Sequence, residues 1–141
     1  MNDPEKKTDD PTAKPIGIPK VKVFVHNNQH TPLAVVLDTL RSVFHKDYAN
    51  AAKIAQKAEA EGKALVDEFH FELAELRVEQ GMEAPLQLAT FLLIERQKEY
   101  AEMLKKKTKG SDKRAKEKTI ADATQAVERA VKYPLEFTIE R

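Results

Sequence analysis

A cluster of polar side chains at residues 27–32 is the part of this sequence best suited to bind a ligand. The segment reads Asn-Asn-Gln-His-Thr-Pro and lies between an alternating apolar stretch at residues 21–25 and a stretch with apolar side chains at helical spacing. The first stretch predicts a strand and the second a helix, with Thr31 as its cap and Pro32 in its first turn. Side chains and free helix N–H groups then converge on one point, which predicts a recognition loop. An ordinary polar turn is the alternative.

The elements after this loop predict how it is positioned. A second helix is expected from about Asp47 to Glu61, with Gly62 as its C-terminal stop. Residues 63–69 predict a second strand, and a further helix is expected to begin near His70.

The second half of the chain predicts a helical hairpin and a closing strand. An apolar segment from Leu86 continues as a charged helix to about Lys107, a turn follows at residues 109–112, and a second arm runs from about Lys113 to Val131. Apolar and polar residues then alternate over residues 135–140, which is typical of a half-buried strand. The sum is an α+β fold: a three-stranded antiparallel sheet, helices on one face, and a projecting hairpin.

Composition and charge exclude several functional classes. The 24 Lys and Arg residues balance 23 Asp and Glu residues, so no overall field draws the chain to nucleic acid or membrane. The chain has no cysteine, which excludes disulfides and thiolate metal sites. The first residues lack the apolar core of a signal peptide, so a cytoplasmic protein is expected. Residues 1–19, rich in proline and charge, are expected to form a disordered extension.

Neither catalysis nor a cofactor is expected from the motifs. The sequence shows no nucleophile–base pair, no glycine-rich phosphate loop and no paired catalytic carboxylates. His26 and His30 lack metal-ligand spacing, so no metal site is predicted.

The order of these motifs resembles the ClpS family, the small adaptors that hand N-degron substrates to Clp proteases. The resemblance rests on the strand, the Asn-x-x-x-Thr-Pro loop, two helices ending at Gly62-Lys63-Ala64, a strand and the segment Phe69-His70-Phe71-Glu72-Leu73-Ala74-Glu75. It extends without a gap from Val21 to Val78, and Tyr133-Pro134-Leu135 resembles the start of the family's closing strand. The chain is therefore identified as a diverged member, with residues 20–141 as the domain and a hairpin insertion at about 82–125.

The resemblance implies a pocket for a free α-amino group and the bulky apolar side chain beside it. Asn27 and Thr31 match the family pattern, whereas Asn28 and Gln29 stand where the family has acidic residues. Glu59 replaces the family's pocket histidine. The remaining positions implied for the pocket are apolar: Leu33, Val36, Ala55, Ala58 and Leu135. Ala55 replaces a methionine, and Ala55, Ala58 and Glu59 share one helix face.

The resemblance also implies partners: substrate N-terminal peptides and the N-domain of a Clp AAA+ unfoldase of the ClpA or ClpC type. Glu72 and Arg77 align with the acidic and basic positions of the family's unfoldase-docking helix. The extension at residues 1–19 resembles the segment by which such adaptors engage the unfoldase. The implied function is a non-enzymatic adaptor that delivers substrates with bulky hydrophobic N-terminal residues.

Two alternatives stay open. The first is a diverged ClpS-like protein without N-terminal recognition, which would use its insertion to bind another protein or RNA. The second is a basic-arm module that binds RNA or the ribosome. The insertion carries a basic tip from Lys105 to Lys118, which is either a solvated turn, a phosphate-contacting arm or a docking arm for an acidic protein. No aromatic residue interleaves these cations, so base stacking is not indicated.

Overall fold

A computed structural model describes residues 19–106 and 109–141, and it confirms the α+β fold class. The predicted extension lies outside the described residues except for Pro19. The elements in chain order are β1 (Val21–His26), α1 (Leu33–Ser42), α2 (Tyr48–Glu61), β2 (Lys63–Phe69), α3 (Phe71–Leu104), α4 (Gly110–Lys132) and β3 (Phe137–Glu140).

The first strand is the centre of the sheet. The strand order is β2-β1-β3, and both neighbours run antiparallel to β1. Val25 lies opposite Ala64 of β2 and Phe137 of β3, so the two outer strands begin beside the end of β1. A register shift between Val23 and Phe24 interrupts the β1–β2 pairing. The last residue of β1 is therefore the point on which both outer strands converge.

The core covers one face of this sheet. The alternation in β1 buries Val21, Val23 and Val25, as the period-two pattern predicts. The Phe44 ring, just after α1, lies 5.1 Å from the ring of Phe137, centroid to centroid. Buried alanines on α2 let that helix lie close to its neighbours: Ala51, Ala55 and Ala58. The helices are thus held by a small apolar layer against one side of the sheet.

A compact corner joins α1 to α2. His45 adopts a left-handed conformation with φ 57°, and the Lys46 N–H donates to the Leu40 carbonyl at 3.2 Å. This closure satisfies a carbonyl at the end of α1. Asp47 then caps α2 by accepting from the Asn50 N–H at 2.7 Å. The sequence predicts the start of α2 near Asp47, and the structure confirms it.

Three local predictions are wrong. Pro32 rather than Thr31 stands at the N-cap of α1, and no side-chain cap bond forms there, because Pro32 already presents an extended backbone ahead of the helix. The predicted turn at residues 109–112 is the first turn of α4, where Asp112 faces the positive end of the helix dipole. The charged helix ends at Leu104 rather than at about Lys107, which lies outside the described residues.

The predicted third helix and first hairpin arm are one continuous helix. α3 runs through residue 82, where the insertion was expected to begin, and contains the buried Pro85. Proline has no N–H to donate to the carbonyl four residues earlier, which is that of Gly81. The helix nevertheless continues through Pro85, which is buried, so packing around Pro85 outweighs the missing hydrogen bond. The residue boundary of the insertion stays a prediction.

The outer half of the hairpin is held by surface contacts. The Tyr100 hydroxyl donates to Glu117 at 2.8 Å, and Lys116 pairs with Glu99 at 3.1 Å. Acceptance by the Glu117 carboxylate raises the pKa of Tyr100. No residue of α4 is buried, and in α3 the described buried residues end at Pro85. The hairpin therefore adds little to the core.

Gly81 allows α3 to approach β3 closely. A Cβ at this position would lie 2.8 Å from Cε1 of the buried Phe137 ring. We therefore expect Gly81→Ala to lower the free energy of unfolding by about 1–3 kcal/mol, because the added methyl group would have to displace a buried ring or the helix. Gly110→Ala is the matched control, since its nearest atom would be the Arg114 guanidinium at 3.5 Å. Urea denaturation measures both, and equal effects would contradict the close approach.

The Lys46–Asp67 ion pair predicts a pH dependence of stability. Burial alone would raise the pKa of Asp67, but the hydrogen bond from Lys46 at 2.7 Å, a bond from the Glu68 N–H and the charges of Lys46 and Lys20 lower it below 3.8 overall. A lowered carboxyl pKa gives stability that is present above pH 3.8 and is lost as the pH falls through the folded-state pKa.

Replacing Lys46 by Met should therefore make the free energy of unfolding fall less between pH 5 and pH 3. Asp67 is 45% exposed, so we expect a change below about 1 kcal/mol. Lys53→Met, at an exposed site on α2, is the control. Urea titrations at several pH values measure the slope, and identical slopes in the two variants would contradict the assignment.

Truncation tests the independence of the core from the hairpin. Glu99 lies opposite Lys116, so residues 96 and 120 stand at about the same height on the two arms. Packed helices are about 8–10 Å apart, a gap that a six-residue Gly-Ser linker crosses. We expect replacement of residues 97–119 by this linker to leave cooperative unfolding, monitored by circular dichroism. Loss of cooperativity would show that the outer hairpin supports the core.

Candidate functional site

The recognition loop, residues 27–32, is anchored on both sides of the central strand. On the β2 side, the Asn27 N–H donates to the Gly62 carbonyl at 2.9 Å. Gly62 has φ +93°, which favours glycine at the end of α2. On the β3 side, the Asn28 Nδ2 donates to the carbonyls of Tyr133 and Pro134, each at 3.1 Å. The loop is thereby tied to the two segments that lead into the outer strands.

The Asn28 side chain also shapes the loop internally. Its Oδ1 accepts from the His30 N–H at 2.8 Å. The His30 ring stacks on the Tyr133 ring, with centroids 3.7 Å apart and planes within 14°. The amide group of Asn28 therefore stabilises the conformation of the loop, although the residue also lines the adjacent groove. No local pattern indicates this role, because the sequence predicts Tyr133 only as the start of a strand.

An open groove of about 380 Å³, the loop groove, lies between the recognition loop, α1 and α2. It brings together every residue predicted for the pocket except Leu135. Polar residues form one part of its lining: His26, Asn27, Asn28, Gln29, Thr31 and Glu59. Apolar residues form the rest, partly on α1 and partly on the alanine face of α2: Val25, Leu33, Val36, Ala55 and Ala58. The groove therefore joins hydrogen-bonding groups to an apolar surface.

Several polar side chains of the loop groove have no partner within the described residues. The Thr31 hydroxyl makes no cap bond, and the side chains of Asn27 and Gln29 make no hydrogen bond in residues 19–106 and 109–141. Glu59 likewise forms no ion pair with another described residue. Lys63, the cation four residues along, pairs with Glu140 instead. These groups are available to a ligand.

The apolar part of the loop groove differs between floor and rim. Ala55 and Ala58 are buried on α2, and their small side chains leave space above them. Leu33 is 62% exposed at the start of α1, where it can cover an incoming side chain. The arrangement suits a ligand with one cationic or hydrogen-bonding end and one apolar group.

Leu135 lies elsewhere. It is 1% exposed and belongs to the hydrophobic core. It lines a different hollow, on the side of the recognition loop that faces Met82 and Tyr133. The alignment of an apolar residue could not distinguish a pocket wall from a core position.

The two residues predicted for unfoldase docking do not form a pair. Glu72 is exposed in the first turn of α3, whereas Arg77 is half-buried and donates from Nη1 to Gln80 at 2.9 Å. A separation of five residues places them about 140° apart around the helix. Glu75 and Glu79 lie closer to the Glu72 side, so the exposed face of early α3 is acidic.

The basic tip is partly neutralised within the hairpin. Lys105 pairs with Glu102, Lys116 with Glu99 and Lys118 with Asp122, at 3.3, 3.1 and 3.4 Å. These contacts are typical of a solvated helix surface. Within the part of the chain that the structure describes, no group of His, Asp or Glu side chains is placed to hold a metal ion. No described helix is long and apolar enough to cross a membrane.

Comparison with known proteins identifies relatives over the first two thirds of the chain. Residues 18–89, just over half of the chain, match the family described as ATP-dependent Clp protease adaptor protein ClpS. A ClpS adapter protein of Nautilia profundicola is 35% identical over 66 residues, covering 46% of this chain and 68% of the relative. ClpS adapter proteins of Vibrio atlanticus and Alkalilimnicola ehrlichii are 34% and 31% identical, over 41% and 44% of this chain.

The matched stretches cover 55% and 58% of the latter two relatives. The match to the family contains β1, the recognition loop, α1, α2, β2 and the first half of α3, and it ends before the outer hairpin. The sequence match and the order of these elements both indicate the same family, and the chain belongs to the ClpS family of Clp protease adaptors.

Proposed function

We propose that this protein is a non-catalytic adaptor that binds substrates by a free N-terminal residue with a bulky apolar side chain and delivers them to a Clp AAA+ unfoldase. The observation that carries the proposal is the Glu59 carboxylate. It has no ion-pair partner among the described residues and lines a groove whose other lining includes buried alanines and the open hydroxyl of Thr31.

An α-ammonium group is the ligand that best fits this polar set. It carries three N–H donors and a positive charge, so it requires about three acceptors and gains from a carboxylate. Glu59 supplies the charge, and the side-chain oxygens of Asn27 and Thr31 supply neutral acceptors. Because Asn28 and Gln29 are uncharged, Glu59 carries the electrostatic part of recognition by itself.

The apolar part of the loop groove favours a large first side chain. Complete burial of such a side chain stabilises a complex by about 1.5–3 kcal/mol. Ala55 and Ala58 leave depth that a small first residue would not fill. We therefore expect aromatic and long aliphatic first residues to be preferred over Ala or Ser.

Delivery to an unfoldase rests on the family and on the acidic face of α3. The relatives are named as adapters of the ATP-dependent Clp protease. Glu72 is exposed at the start of α3 and free to meet a basic surface of an unfoldase N-domain, whereas Arg77 lies about 140° away around the helix. An adaptor of this kind would act in the cytoplasm, as the sequence predicts.

Substitution of Glu59 tests the ammonium site. Fluorescence anisotropy of short peptides beginning with Leu, Phe, Tyr or Trp should show binding that acetylation of the amino group weakens roughly tenfold or more, because a charge-assisted hydrogen bond contributes about 1.5–3 kcal/mol. Glu59→Gln should remove most of this difference between free and acetylated peptides.

Glu61→Gln is the matched control, since Glu61 is an exposed carboxylate on the same helix and does not line the loop groove. It should retain the preference for a free amino group. Equal binding of free and acetylated peptides by the unsubstituted protein would instead favour a ClpS-like protein that uses another surface. The Asn28 amide already donates to the carbonyls of Tyr133 and Pro134, and this observation favours that second candidate.

A further inference from the structure

A second cavity, the hairpin cavity, lies on the other side of Thr31 from the loop groove. It measures about 80 Å³ and is enclosed by the start of α1, the middle of α3 and the end of α4. Pro32 and Val35 line it from α1, Leu88 and Leu92 from α3, and Ala126 from α4. Leu92 is 40% exposed, so the cavity opens toward solvent through an apolar side chain that the fold leaves partly uncovered.

The lining and volume of the hairpin cavity define its ligand. Among the described residues that line it, Arg129 alone is charged, and the His30 ring is already stacked on Tyr133. A cavity of 150 Å³ is known to hold benzene, and this one has about half that volume. It therefore suits a branched aliphatic side chain and is too small for an indole.

Thr31 lies between the hairpin cavity and the loop groove. The residue lines both of them, so they are separated by the width of one residue of the recognition loop. An extended peptide advances about 3.3 Å per residue. A peptide whose first residue occupies the loop groove and whose chain runs past Thr31 would bring its second or third side chain to the mouth of the hairpin cavity.

The hairpin supplies the far wall of this cavity. Leu92 and Ala126 lie outside residues 18–89, the stretch that matches the family. The near wall belongs to the recognition loop and α1, which that stretch contains. The part of the wall formed by Leu92 and α4 therefore lies beyond the matched stretch, whereas Pro85, Leu88 and Ala89 belong to it.

We propose that the hairpin cavity is a second subsite, which binds an aliphatic side chain at the second or third residue of the substrate peptide. The proposal rests on the proposed function, because the loop groove must first hold the N-terminal residue. The hairpin would then contribute to substrate selection. The first residue of the peptide would contact α1 and α2, and a following residue would contact α3 and α4.

The test uses the full chain and peptides with a free N-terminal Phe. The second and the third residue are varied in turn among Gly, Val, Leu, Asp and Trp, and dissociation constants are measured by anisotropy. We expect Val or Leu at one position to bind roughly tenfold more tightly than Gly, within the range for an apolar group in a fitted pocket. Trp and Asp should bring no such gain.

Substitutions in the hairpin cavity test whether the preference for Val or Leu arises there. Ala126→Leu fills the hairpin cavity and should remove the advantage of Val and Leu over Gly. Ala121→Leu adds the same volume at an exposed site on α4 outside the cavity and should retain that advantage. Should Ala126→Leu fail to fold, Leu92→Ala enlarges the cavity instead and should shift the preference toward larger side chains.

The outcomes separate this subsite from the proposed function. Discrimination against acetylated peptides without any effect of the second or third residue would overturn the subsite and leave the proposed function intact. No discrimination against acetylated peptides would overturn both. A dimer in analytical ultracentrifugation that Ala126→Leu dissociates, with no peptide preference, would overturn the subsite and assign the cavity to an interface between two copies.

Discussion

The structure depends on the central position of β1 between two antiparallel partners. Both outer strands start where β1 ends, so the chain segments that precede them pass beside the recognition loop. One of these segments offers the Gly62 carbonyl and the other the carbonyls of Tyr133 and Pro134. The loop fills the space between them because Asn27 and Asn28 donate to these carbonyls. Its conformation is thus fixed by the topology of the sheet as well as by its own residues.

This anchoring explains how a polar loop can serve as a binding surface. A ligand that binds to a flexible loop must bear the entropy cost of ordering it. Here backbone and amide hydrogen bonds within the fold bear that cost, and the side chains of Asn27, Thr31 and Glu59 retain their hydrogen-bonding capacity. The groups that anchor the loop and the groups left free for a ligand are therefore different, even where one residue has both: the Asn27 N–H donates to Gly62, and the Asn27 side chain stays free.

The sequence predicts those features that depend on local patterns. Alternation in β1, the start of a helix near Asp47 and the Gly62 stop lead to the correct elements, because each depends on a few neighbouring residues. Features that depend on distant contacts are missed. The approach of Gly81 to Phe137 joins residues 56 positions apart, and nothing near Gly81 indicates it. The same applies to Leu135, which an apolar pattern assigns equally well to a pocket wall or to the core.

The two halves of α3 differ in how they pack. The first half of α3 buries Ala74, Gly81 and Pro85, and by these contacts it belongs to the core. Beyond Pro85 the described part of the hairpin buries no residue, yet its apolar side chains Leu88 and Leu92 face the recognition loop across a small cavity. With no buried residue beyond Pro85, the described part of the hairpin adds little to the apolar layer on the sheet. Its position beside the recognition loop distinguishes it from an arbitrary surface extension, because a peptide bound as proposed would meet the apolar side chains of Leu88 and Leu92.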